Sequence, residues 1–82
     1  MAEYVASRVT LTVNKKSGYV GDEFIFSGKI EPAMMWGYII YVNGSSKGWY
    51  VSNPDGTFKF KLKFDRAGTY TVYVDVPRMV MG

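Results

Sequence analysis

A chain of 82 residues holds one domain with a single modest core, which excludes an enzyme built around a cleft between two domains. Its composition, 48% hydrophobic with 17% aromatic and 21% charged residues, is that of a folded globular protein rather than a disordered one. The net charge of +3 is mild and its lysines and arginines are scattered, so nucleic acid is not an expected partner, and the lack of cysteine and histidine removes disulfides, thiolate metal sites, the usual general base and the common nucleophile dyads.

The start, Met1-Ala2-Glu3-Tyr4, has neither the basic nor the apolar region of an export signal, and no run of apolar residues is long enough to predict a transmembrane segment. Residues 1–6 read as a tail. In Ser7 to Val13, Val9, Leu11 and Val13 alternate with Arg8, Thr10 and Thr12, which predicts a first strand. Asn14 to Gly18 and Gly21-Asp22 are turns by composition. A second strand runs from Glu23 to Ile30 with Phe24, Phe26, Gly28 and Ile30 on one face, Gly28 marking a bulge or a close backbone approach.

Glu31-Pro32 ends that strand, since proline cannot donate to a ladder, and the loop beyond it carries Met34, Met35 and Trp36, which is apolar for a surface connection. Tyr38 to Val42 is continuously apolar, as a central strand would be. Asn43-Gly44 has hairpin chemistry, with Ser45 to Gly48 read as lengthening the loop before a fourth strand, Trp49 to Ser52. After the turn Asn53 to Gly56, Thr57 to Phe64 sends Phe58, Phe60, Leu62 and Phe64 inward and Lys59, Lys61 and Lys63 outward. Asp65 to Gly68 then predicts a hairpin into Thr69 to Val76, whose Tyr70, Val72, Val74 and Val76 face the core. Pro77 stops that strand, and residues 78–82 read as a second tail, too short to return as a full partner.

Six strands without a helical period predict an all-β antiparallel sandwich over residues 1–82. The run Gly18-Tyr19-Val20-Gly21-Asp22-Glu23-Phe24-Ile25-Phe26-Ser27-Gly28, followed by Asp55-Gly56-Thr57-Phe58 and by Ala67-Gly68-Thr69-Tyr70-Thr71-Val72-Tyr73-Val74, resembles the immunoglobulin-like modules of prokaryotic and archaeal cell-surface proteins, the S-layer and adhesin repeats. It is also similar to macroglobulin-like and prealbumin-like sandwiches. The resemblance implies an immunoglobulin-like β-sandwich of six to seven strands lacking its final strand. It also implies a scaffold or adhesive role without catalytic residues, in an extracellular, cell-surface or virion setting.

The acids Glu3, Asp22, Glu23, Glu31, Asp55, Asp65 and Asp75 lie mostly in turns, where local hydrogen bonds account for them. No catalytic residue, metal site or cofactor is therefore expected. Three surfaces remain as candidates. Met34, Met35 and Trp36 fall at the same end as Met79, Val80 and Met81, forming either a patch for a protein partner or second copy, or a plug for the sandwich end. Trp36, Trp49 and Tyr50 are candidates for stacking on carbohydrate. The ridge of Lys59, Lys61 and Lys63 suits a polyanion, or is a solvated face that discourages edge pairing. The expected function is a non-catalytic structural or protein-interaction module, with a small carbohydrate-binding module or a weak polyanion-binding module as the alternatives. The strand Thr69 to Val76 also needs a neighbour, expected to be Val5 to Val13 or the same strand of a second copy.

Overall fold

The structure, a computed structural model, describes the backbone of residues 2–81 and the side chains of residues 5–78. Among the described residues there are eight strands and no helix: β1 (Ala2–Tyr4), β2 (Arg8–Val13), β3 (Glu23–Glu31), β4 (Gly37–Val42), β5 (Ser45–Val51), β6 (Thr57–Lys63), β7 (Val72–Asp75) and β8 (Met79–Met81). Six of them form two antiparallel three-stranded sheets, β2-β3-β6 and β5-β4-β7, packed face to face as a small sandwich. Among the described residues β7 is an edge of the second sheet, with β4 as its one paired neighbour. β1 and β8 pair with each other, from Ala2 opposite Met81 to Tyr4 opposite Met79. The two segments expected as tails thus share a short ladder.

The inward-facing residues of the period-two pattern form the core. Phe26, Ile30, Trp36, Tyr38, Ile40, Phe58 and Phe60 make one buried cluster, with Leu11, Val13, Phe24, Leu62, Val72 and Val74 packed at its margin. Phe26 and Phe60, opposite each other in the β3–β6 ladder, stack with ring centroids 5.0 Å apart. Gly28 sits in an unbroken register opposite Leu11, so the expectation resolves to a close approach rather than a bulge. A Cβ there would run into the Thr10 carbonyl oxygen and come within 2.7 Å of the Phe58 ring.

Tyr38 of β4 lies against Phe58 of β6, with centroids 4.7 Å apart, and Val72 of β7 lines the same cleft as Phe24 and Phe26 of β3 and Val13 of β2. The two sheets are therefore offset by one strand. β6 faces β4 and β3 faces β7, while β5 overhangs on one side and β2 on the other. Exposure agrees with the offset: Tyr50 on β5 and Val9 on β2 both point toward the opposite layer, yet they are 45% and 40% exposed.

Two expected connections differ. Thr57–Phe64 and Thr69–Val76 do not form a hairpin, because β6 pairs with β3 and β7 with β4. Alternation specifies which side of a strand is buried, not which strand lies beside it. The 64–71 connection carries the chain from one sheet to the other. It is held by Phe64 stacked on Tyr70 at 3.9 Å and by the Tyr70 hydroxyl donating to the Arg66 carbonyl at 2.7 Å. The β4–β5 loop, by contrast, is shorter than expected. Val42 pairs with Ser45 across a two-residue turn in which Asn43 and Gly44 have φ of 51° and 83°, the geometry that favours Asn-Gly. The residues read as extra loop belong to β5, whose register shifts opposite Ile39 to Tyr41.

Candidate interaction surface

The outward faces of the two sheets differ in chemistry. On β2-β3-β6 the cross-strand rows are Thr12, Ser27 and Lys59, then Thr10, Lys29 and Thr57, with Arg8 opposite Glu31, Glu23 opposite Lys63 and half-buried Ile25 opposite Lys61. Several of these side chains bond across the strands: the Thr10 hydroxyl accepts from the Lys29 backbone N–H at 3.1 Å, the Thr12 and Ser27 hydroxyls meet at 3.3 Å, and Lys61 lies 3.7 Å from Glu23. Lys59, Lys61 and Lys63 are exposed along β6, which is an edge strand, and their spread along that edge suits keeping it solvated.

On β5-β4-β7 the outward rows are mainly aromatic and aliphatic, with Asp75 and Ser46 at their ends. Trp49 lies opposite Ile39, and Ile39 in turn opposite Asp75. Val51 lies opposite Gly37, whose missing side chain makes room for the indole: a Cβ there would be 3.2 Å from Trp49 Cζ3. Tyr41 and Tyr73 are direct partners and stack nearly parallel, 5.0 Å apart and 7° from coplanar. Trp49 and Val51 are each 65% exposed and Tyr73 is 44% exposed.

The expected patch is divided by this arrangement. Trp36 is fully buried: its backbone N–H donates to Ser52 Oγ at 2.8 Å and its indole N–H to the Pro32 carbonyl at 2.9 Å. It closes the end of the sandwich, so it is neither a contact residue nor a glycan-stacking ring. An apolar loop residue reads as surface only until a buried partner such as Ser52 is found for it. Met34 packs at the margin of the core and Met35 remains exposed. The side chains of Met79, Val80 and Met81 lie outside the described residues. Tyr50 stacks on Tyr38 at 5.8 Å beneath the overhang of β5, on the opposite side of the sheet from Trp49, so the candidate glycan platform of Trp36, Trp49 and Tyr50 is not assembled. The row that is assembled, Trp49 with Ile39 and Tyr41 with Tyr73, needed the strand partners to be known. Its signal in the sequence is the high aromatic content of 17%, to which Tyr41 and Tyr73 contribute.

A second feature was not foreseen. At the end of the sandwich where β2 stops and β7 starts, the offset sheets leave an open cleft of about 640 Å³. Its apolar walls include Val13, Phe24, Phe26, Phe64, Tyr70 and Val72, with Lys16 and Arg66 also along its lining. The loop before β3 is pinned by Asp22, which accepts from Lys15 Nζ and from Tyr19 N–H, both at 2.9 Å. Those bonds, the Tyr19 amide first, hold the Asp22 carboxyl below the ordinary aspartate range. Asp55 is lowered likewise by the Thr57 hydroxyl and then the Thr57 amide. Burial pushes the Tyr38 hydroxyl up, and Tyr50 adds to the effect.

Among the described residues no three acidic side chains gather where a metal ion could be held, and no helix is long and apolar enough to cross a membrane. Comparison with protein-family models, with curated proteins and with solved structures gives no match for the chain.

Proposed function

We propose that the protein is a non-catalytic interaction module that binds another protein through the outward face of β5-β4-β7. The observation that supports this is the set of Trp49, Val51 and Tyr73, exposed beside half-buried Ile39 and Tyr41 on one sheet, while the other sheet's outward face is mostly threonine, serine and charged residues. Aromatic rings are enriched where proteins meet, and a contiguous apolar patch on a small domain is a mark of such a surface. The mixture of aliphatic and aromatic side chains, with few convergent polar groups, favours a protein partner over a sugar, whose hydroxyls require directed hydrogen bonds. A place in a cell-surface layer, an appendage or a virion fits a scaffold of this kind and is part of the proposal.

A photo-crosslinking amino acid placed at Val51 tests the reading in the native cell, with the same probe at Lys61 as control. A discrete protein adduct from position 51 alone is expected. Equal labelling at both positions, or none at either, would overturn it. Glycan-array binding lost on Trp49→Ala would assign the face to carbohydrate instead.

A further inference from the structure

We infer that the open edge of β7 takes up one extended segment of a partner protein. This segment is apolar at alternate positions and acidic at its C-terminal end, and it adds antiparallel to β7 as a seventh strand of the sandwich. The site is distinct from the outward face of the sheet and does not depend on it.

Among the described residues the backbone of β7 presents free hydrogen-bonding groups on one side. In an antiparallel ladder, alternate residues turn both their N–H and C=O groups to the same neighbour. Asn43 N–H donates to the Thr71 carbonyl at 2.8 Å and Asn43 Oδ1 accepts from Thr71 N–H at 2.9 Å, so Thr71, Tyr73 and Asp75 turn toward β4. Val72, Val74 and Val76 therefore turn theirs to the open side. Among the described residues β4 is the strand paired with β7, and β2, expected as the missing neighbour, lies in the other sheet against β3. Such an edge is normally charged or covered. The β6 edge has three lysines, whereas Asp75 is the one charge on β7.

Because the sheets are offset, a strand beside β7 would lie over the inward face of β2, where Val9, Leu11 and Val13 are incompletely covered. Its inward side chains would reach the cleft beside Val72. An antiparallel strand ends at that cleft, and its C-terminus arrives near Lys16 and Arg66, which among the described residues make no ion pair; Lys15 is already paired with Asp22. The charge complementarity selects an acidic end. A second copy does not fit through its own β7. A two-fold axis through that edge would place the overhanging β2 of each copy in the layer position already held by β3 of the other.

The probe is a short blocked peptide of alternating valine and threonine closed by two aspartates, with a composition-matched scramble and a lysine-ended version as controls. By hydrogen exchange, the Val72 and Val74 amides are expected to exchange freely in the protein alone and to become protected when the peptide binds. Val74→Pro removes an N–H that points away from β4, a replacement edge strands tolerate, and is expected to weaken binding about tenfold. Should that variant fail to fold, the double variant Lys16→Glu/Arg66→Glu carries the test, weakening the aspartate-ended peptide and sparing the lysine-ended one. Trp49→Ala is expected to leave peptide binding unchanged, which separates failure here from failure of the outward-face reading. Equal binding of the scramble, or protected Val72 and Val74 amides in a peptide-free monomer, would overturn the proposal. A peptide-free dimer with those amides protected would give the edge to a second copy and overturn it as well.

Discussion

The two outward faces are built on the same backbone geometry, three antiparallel strands over a shared core, and differ only in what their solvent-side positions hold. On β2-β3-β6 most outward positions hold hydroxyls or charges, and several bond across strands, such as the Thr10 hydroxyl to the Lys29 backbone and Lys61 near Glu23. On β5-β4-β7 the corresponding positions stack rings or leave Trp49 and Val51 in water. A face needed only for solubility does not require the second pattern. The fold's requirements are met by the inward residues, so that the outward ones are free to record what the surface is for.

The difference between the faces depends on which side of each strand is buried, and the largest expected effect tests this. Phe60 is packed between Phe26 and Phe58, and Phe60→Ala is expected to destabilise by about 3–5 kcal/mol in a urea or thermal melt. A melt like that of wild type would dissolve the distinction between the faces. Next is Gly28→Ala, expected to cost about 1–3 kcal/mol because the new Cβ meets the Thr10 backbone, which cannot move aside as a flexible side chain can.

The aromatic face is sharpened by a double-mutant cycle on Tyr41 and Tyr73, whose stacking should show a coupling of about 0.5–1.5 kcal/mol in equilibrium unfolding. No coupling would leave the pair as neighbours by register alone. A smaller, pH-dependent effect comes from Asp22 and Asp55, each with a carboxyl held below its unfolded value. Their contribution is present above the ordinary aspartate pKa, about 4, and is lost as pH falls through the lowered folded values. Asp22→Asn with Asp55→Asn should flatten the acid limb of a stability–pH curve, and an unchanged limb would refute their part in it. Smallest is Lys61→Ala, expected to shift stability by no more than about 0.5 kcal/mol, since Lys61 and Glu23 are exposed and 3.7 Å apart.

Faces were legible in the sequence because a strand's period is two whatever lies beside it. Phe58, Phe60 and Lys59, Lys61 fell on the sides their alternation indicated. Partners were not legible where the connection was long enough to change sheets, and Asp65 to Gly68 has the composition of a hairpin turn while serving a crossover. The candidate site suffered for the same reason. Trp49 was recognisable as a single exposed ring, but its row with Ile39, and the stack of Tyr41 on Tyr73, exist only once β4 is known to lie between β5 and β7. The burial of Trp36 is not legible from its loop position, because Ser52, sixteen residues away, supplies the hydroxyl that lets its amide be buried.

The crossover between sheets has a kinetic consequence. Of the ladders in the sandwich, only β4–β5 closes a two-residue loop; Lys29 must find Thr57, and Val42 must find Val72, before either sheet is complete. Such non-local pairings make a chain of this size fold on a timescale of about milliseconds to seconds rather than microseconds. The β4–β5 hairpin is the natural place for order to begin, and β7 joins it only after most of the chain has been laid down. During that interval the valines of β7 and the aromatic row of β4 are exposed together, so aggregation during refolding should start from this side of the molecule.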